Sequence, residues 1–104
     1  MIAYLRGTVA HKPAVAPKGN WFVLDVNGVG YRIHTTAKVL QALPVSLPVQ
    51  VHTHQVIRDD SHELYGFVDA AQADFFRLLL SVSGIGPKSA LQILELASLD
   101  DLRQ

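Results

Sequence analysis

Cysteine is absent from the 104 residues, so disulfides, thiolate metal sites and cysteine nucleophiles are excluded, which suits a reducing compartment. No run approaches the roughly 18 consecutive apolar residues of a membrane span. The opening MIAYLRG has too few apolar residues before Arg6 and Gly7 for a secretory signal core. The expectation is a soluble, cytoplasmic protein. Acidic residues are scarce in the first part of the chain. Residues 1–58 hold Arg6, Lys12, Lys18, Arg32, Lys38 and Arg58 against Asp25 alone, whereas residues 59–104 hold three cations against eight acids. The net charge of zero therefore averages a basic half and an acidic half, of which only the first could face phosphates uniformly.

Hydrophobic residues make up 49% of the chain, enough for a core in one ordinary domain or two very small ones. The runs IAYLRGTVA, WFVLDV, VGYRIHT, LPVQVHTHQVI and HELYGF are rich in β-branched and aromatic residues and read as five strands. Asn27-Gly28 supplies the positive φ angles of a tight hairpin between the second and third. TAKVLQAL, residues 36–43, has helix formers at helical spacing and stops before Pro44. Five strands with a helix after the third predict a small closed barrel of the OB type over residues 1–67, with an open five-stranded sheet as the alternative.

The period changes at residue 69. Asp69 reads as an N-cap, Ala71, Phe75, Leu78, Leu79 and Val82 as the buried face of a helix, and Gly84 as its left-handed end. Pro87 suits the first turn of a second helix running to about Leu96. Ser98 followed by Asp100 and Asp101 reads as the cap of a third helix, truncated by the end of the chain, so a natural domain longer than residues 68–104 is expected. The fold class is thus mixed, β then α, a five-stranded OB-type barrel followed by an incomplete helix-hairpin-helix unit.

Between those helices stands Gly84-Ile85-Gly86-Pro87-Lys88-Ser89. The glycines let the backbone bend and approach a partner closely, N–H groups around Gly86, Lys88 and Ser89 lie at a helix start, and Lys88 reinforces an anion there. Such an end attracts phosphate, and since nothing in it reads base edges, the predicted contact is to one strand's backbone and independent of sequence. A plain helix stop followed by a helix start fits the same spacing.

Leu79 and Val82, the Gly-Ile-Gly turn, Ala90, Ile93 and Leu94 make up the helix-hairpin-helix pattern. IAYLRG, VNGVGYRI, HTHQVIRDDSHELYGF and FFRLLLSVSGIGPKSALQIL, in that order, resemble the N-terminal part of the RuvA family of bacterial Holliday-junction-binding proteins. The resemblance implies binding of four-way DNA junctions in recombination, DNA repair and the SOS response. It implies an OB barrel that assembles as a homotetramer, or as an octamer of two tetramers, and a helical domain with two hairpin motifs. A C-terminal domain would engage a RuvB-type ATPase, and a RuvC-type resolvase is a further partner. The chain carries one hairpin motif and lacks that C-terminal domain, so by itself it should not stimulate branch migration. The same resemblance makes Asp59 and Asp60 an acidic pin facing the crossover, with Arg58 holding backbone beside it. Read without it, residues 58–61 are a polar hairpin loop.

Three further features were open to function. His52 and His54 share a strand face near His62, Asp59 and Asp60, so a metal site is conceivable, but no zinc-helix, phosphate-loop or nucleophile-elbow motif accompanies them. No catalytic site, metal or cofactor is expected, and Ser81, Ser83 and Ser89 have no evident base partner. HKPAVAPKGN, residues 11–20, reads as an exposed loop in which Lys12 and Lys18 either touch DNA or are simply tolerated. Trp21 reads as core or subunit interface, because WFVLDV is apolar on both faces. A barrel-plus-helix interaction module without DNA binding is the alternative function.

Overall fold

The structure, a computed structural model, describes residues 1–13 and 19–103. Five strands form a closed barrel: β1 (Tyr4–His11), β2 (Asn20–Val26), β3 (Val29–Thr35), β4 (Pro48–Arg58) and β5 (Ser61–Phe67). Asn27 at φ 53° and Gly28 at φ 89° turn β2 into β3, and the Gly28 N–H donates to Asp25 Oδ1 at 2.8 Å. These are the angles a two-residue hairpin needs to match strand twist. Strand β1 pairs antiparallel with both β2 and β4, and β5 lies between β4 and β3. The closing seam is short and parallel, Ile33 opposite Leu64 and His34 opposite Tyr65.

Period-two alternation sends Phe22, Leu24, Ile33, Val51 and Leu64 into the barrel, where all are buried. Space there is fully used. A Cβ added at Gly66 would lie 2.6 Å from Val51 Cγ1 and 2.7 Å from Ile33 Cγ2. The buried hydroxyls are satisfied by backbone, Thr35 Oγ1 donating to Gly66 O at 2.6 Å and Thr53 Oγ1 to Ile2 O at 2.7 Å.

The short helix α1 (Ala37–Ala42) follows β3, capped by Thr36, whose Oγ1 accepts from the Val39 N–H at 3.2 Å. Helix α2 (Ala70–Leu80) starts at Asp69, whose carboxylate accepts from the Ala71 N–H at 2.9 Å. Alternation turns Tyr65 and Phe67 of β5 outward, and Phe76 of α2 packs on them with ring centroids 5.3 Å from each. Ala73, Ala90 and Leu94 join this buried cluster, which fastens the helices to the outside of the barrel. Arg77 adds a polar tie, donating to Thr53 O at 3.2 Å.

Two expectations about the helices are corrected. Ala71, Phe75, Leu78 and Val82 do not form the buried face of α2: Phe76 is fully buried, whereas Leu78 is 62% and Val82 50% exposed. Two apolar stripes wind around this helix, and the aromatic shelf on β5 selects the one with Phe76 and Ala73. No third helix begins at Ser98 either, since α3 runs unbroken from Pro87 to Arg103. Neither Gly nor Pro lies between Leu96 and Arg103, so nothing forces the backbone out of helical geometry for a new cap.

Candidate nucleic-acid interface

Helices α1 and α2 bring side-chain oxygens to their own first turns, through Thr36 and Asp69. The start of α3 is built differently. The residue before Pro87 is Gly86, which has no side chain with which to cap, and the first helical bond is the Ala90 N–H to Gly86 O at 2.9 Å. The N–H groups of Lys88 and Ser89 precede that bond and point out of the helix end, while both residues are exposed. The turn itself is held from behind. Ile85 N–H donates to Val82 O at 3.2 Å, Ser81 Oγ to Leu78 O at 2.6 Å, and Gly84 sits at φ 88°. Ile85 packs against the core and Ala90 is buried, so the helices meet behind the turn and leave its outer surface clear. A Cβ at Gly84 or Gly86 would meet nothing within 4 Å.

Arg58, Asp59, Asp60 and Ser61 occupy the tip of the β4–β5 hairpin, with Arg58 opposite Ser61 and Asp59 and Asp60 forming the exposed turn. Six residue steps along β5 lead from Ser61 to Phe67, so the tip stands about 20 Å along the strand from where the helices begin. Within one chain, then, the acidic tip and the glycine turn are separate features. No hydrogen bond or ion pair joins them among the described residues.

A cleft of about 680 Å³ lies between the barrel and α3, bordered by Asn20, His34, Tyr65, Lys88, Gln92 and Glu95. Tyr65 Oη donates to Glu63 Oε1 at 3.2 Å, and burial, aided by the Glu63 charge, pushes the phenol up to about 12. His34 stacks obliquely on Tyr65 at 5.2 Å and reaches Glu63 at 3.8 Å. Burial outweighs the attraction of Glu63 and, with Arg32 and Lys88, holds His34 below its ordinary 6.5, so near neutral pH this contact is between a neutral ring and a carboxylate.

Glu95 of α3 accepts the Ala37 N–H with its Oε1. This second cap on α1 ties the helices to the barrel, and the sequence carried no local sign of it, because an acid at mid-helix ordinarily faces water. The histidine grouping dissolves in the fold. His54 lies edge-on to Phe76 at 6.0 Å, His62 is exposed, and no cluster of three potential metal ligands forms among the described residues. Lys12 Nζ donates to Leu43 O at 2.9 Å, so it secures the end of α1, whereas Lys18 and residues 14–17 lie outside the described residues. Trp21 is half-buried on the outer face of β2 and not in the core.

A closed five-stranded OB barrel continued by a glycine-turned helix pair defines an OB-barrel protein with an appended helix-hairpin-helix element. Residues 1–66 match the RuvA N terminal domain, and residues 76–104 match a SAM-like helix-hairpin-helix tandem. The chain is 43% identical over 103 residues, 98% of its length, to the Holliday junction branch migration complex subunit RuvA of Pseudomonas paraeruginosa, covering 49% of that protein. Identity is also 43% to the protein of that name from Pseudomonas entomophila and 42% to that from Pseudomonas fluorescens strain SBW25, with 48% of each covered. This chain belongs to the RuvA family, and it spans about half the length of the curated relatives it matches.

Proposed function

We propose that the chain is the junction-holding part of a RuvA-type subunit, binding four-way DNA through the sugar-phosphate backbone. The observation that carries this reading is the bare start of α3. Gly86 cannot cap it, Lys88 and Ser89 are exposed there, and the surface over both glycines is open. A phosphate would accept from the N–H groups of the first turn beside the Lys88 ammonium, while Gly84, Ile85 and Gly86 let the backbone come close.

Residues 1–67 would serve assembly and the crossover, and residues 68–104 the arms. In a homotetramer, four hairpin tips bring eight carboxylates from Asp59 and Asp60 to one axis, repelling phosphates and disfavouring continuous duplex across the centre, with Arg58 holding backbone beside them. Two such tetramers could enclose one junction. The chain acts by binding, without chemistry of its own, in the cytoplasm, and the longer subunit to which it would belong delivers the junction to a RuvB-type motor through a C-terminal domain and to a RuvC-type resolvase. The interaction-module alternative is not favoured, since it leaves the open glycine turn without an occupant.

The test is fluorescence anisotropy of a labelled four-way junction and of linear duplex with the same arms, at low and moderate salt. Junction binding should be tighter and should weaken with salt. The Asp59→Asn, Asp60→Asn double variant should narrow the preference by gaining affinity for duplex. Equal binding of both DNAs by the unaltered chain would remove the pin from the reading, and binding of neither would overturn it.

A further inference from the structure

The outer face of β2 and β3 carries a cluster that the glycine turn and the hairpin tip do not use. Trp21 stands opposite His34 and Val23 opposite Arg32, and alternation points all four away from the barrel interior, where Phe22 and Ile33 lie. The Arg32 guanidinium lies over the Trp21 ring, 4.6 Å from its centroid, and the His11 ring of β1 lies 5.7 Å from it. Arg32 is exposed and makes no ion pair among the described residues.

Such an arginine is prepared for an anion. The guanidinium is held over the indole at cation–π distance, which restrains it, and its N–H groups are left to address an acceptor. Asp25 accepts the Gly28 N–H and Glu63 the Tyr65 hydroxyl, and neither carboxylate lies within ion-pair distance of Arg32. Both strands belong to residues 1–58, which hold six cations to one acid, Asp25, itself exposed near the β2–β3 turn. The cluster adjoins the start of α3 through His34, which with Asn20 borders the barrel side of the cleft that Lys88 and Gln92 border on α3.

We propose that the β2–β3 face is a second nucleic-acid contact, in which Arg32, held over Trp21, donates to a phosphate of the same DNA arm that Lys88 meets across the cleft. The proposal rests on the DNA-binding reading above. It is sequence-independent, like the contact at the turn, and it lengthens the track over which one subunit grips one arm.

The test compares Arg32→Ala, Trp21→Leu and Lys88→Ala with the unaltered chain, using junction DNA over a salt series, with sedimentation velocity alongside. Arg32→Ala should lower the slope of log K against log salt by about one phosphate contact and weaken binding about 3- to 10-fold at moderate salt. Trp21→Leu, which keeps the charge but frees the guanidinium, should weaken binding less and leave the slope intact. If Lys88→Ala lowers slope and affinity while Arg32→Ala changes neither, the proposal is overturned and the glycine-turn reading stands. A change of assembly mass with Arg32→Ala at an unaltered slope would also overturn it, assigning the face to the acidic half of a neighbouring copy. No binding by the unaltered chain would overturn both readings.

Discussion

At Gly86 nothing in the chain itself objects to a side chain: its φ is not in the left-handed region and a Cβ would touch no neighbour. Any need for glycine there must come from what docks on the turn. Gly86→Ala should therefore keep stability within about 1 kcal/mol of the parent, the range of a changed cap residue, while weakening junction binding at least about tenfold. Thermal unfolding and anisotropy on the same sample check both halves of that expectation. Gly84 is the contrast, because at φ 88° an alanine costs about 1–2 kcal/mol whether or not DNA is present. A Gly86→Ala protein that loses stability but not affinity would place the reason for this glycine inside the fold.

At the scale of elements, the cost of losing Phe76 is set by its position between two structures. Its ring meets Tyr65, Phe67 and His54 and is the main apolar link from α2 to the barrel. Phe76→Ala should cost about 3–5 kcal/mol in chemical denaturation, and Phe75→Ala far less, since Phe75 lies on the solvent side. The same comparison shows what was legible in advance. Strand runs, the Asn27-Gly28 hairpin, the Asp69 cap and the positive φ at Gly84 rest on local chemistry, and each was readable from a few adjacent residues. Which stripe of α2 is buried was not, because the choice depends on Tyr65 and Phe67, which reach it only after the barrel closes. Glu95 capping Ala37 is hidden for the same reason, its partners being 58 residues apart. Of the candidate site, the glycine turn was readable from spacing, whereas the role of Asp59 and Asp60 rested on family resemblance, since two acids in a turn look like any polar loop.

Over the whole molecule, two histidines make stability depend on pH near neutrality. His34 and His54 are both held below the ordinary 6.5, first by burial, with Arg77 adding to the effect at His54 and Arg32 and Lys88 at His34. The unfolded chain thus binds more protons than the folded one in this window, so stability is fully present above about 6.5 and is lost as pH falls through the folded values. Melting temperature should drop between pH 7.5 and 5.5, above the range where carboxylates titrate, and the drop should be smaller in His34→Gln and in His54→Gln. Equal slopes in the parent and both variants would show that these rings do not couple to folding.

The place of β5 in the barrel governs the order in which the protein can take shape as it is made. Strand β3 ends at Thr35, but the strand that closes against it ends at Phe67. At about 5–20 residues per second, the intervening 32 residues take roughly 2–6 s to emerge, and throughout that interval one edge of β3 has no neighbour. The barrel therefore cannot close until Phe67 has left the ribosome, however early β1 to β3 are complete.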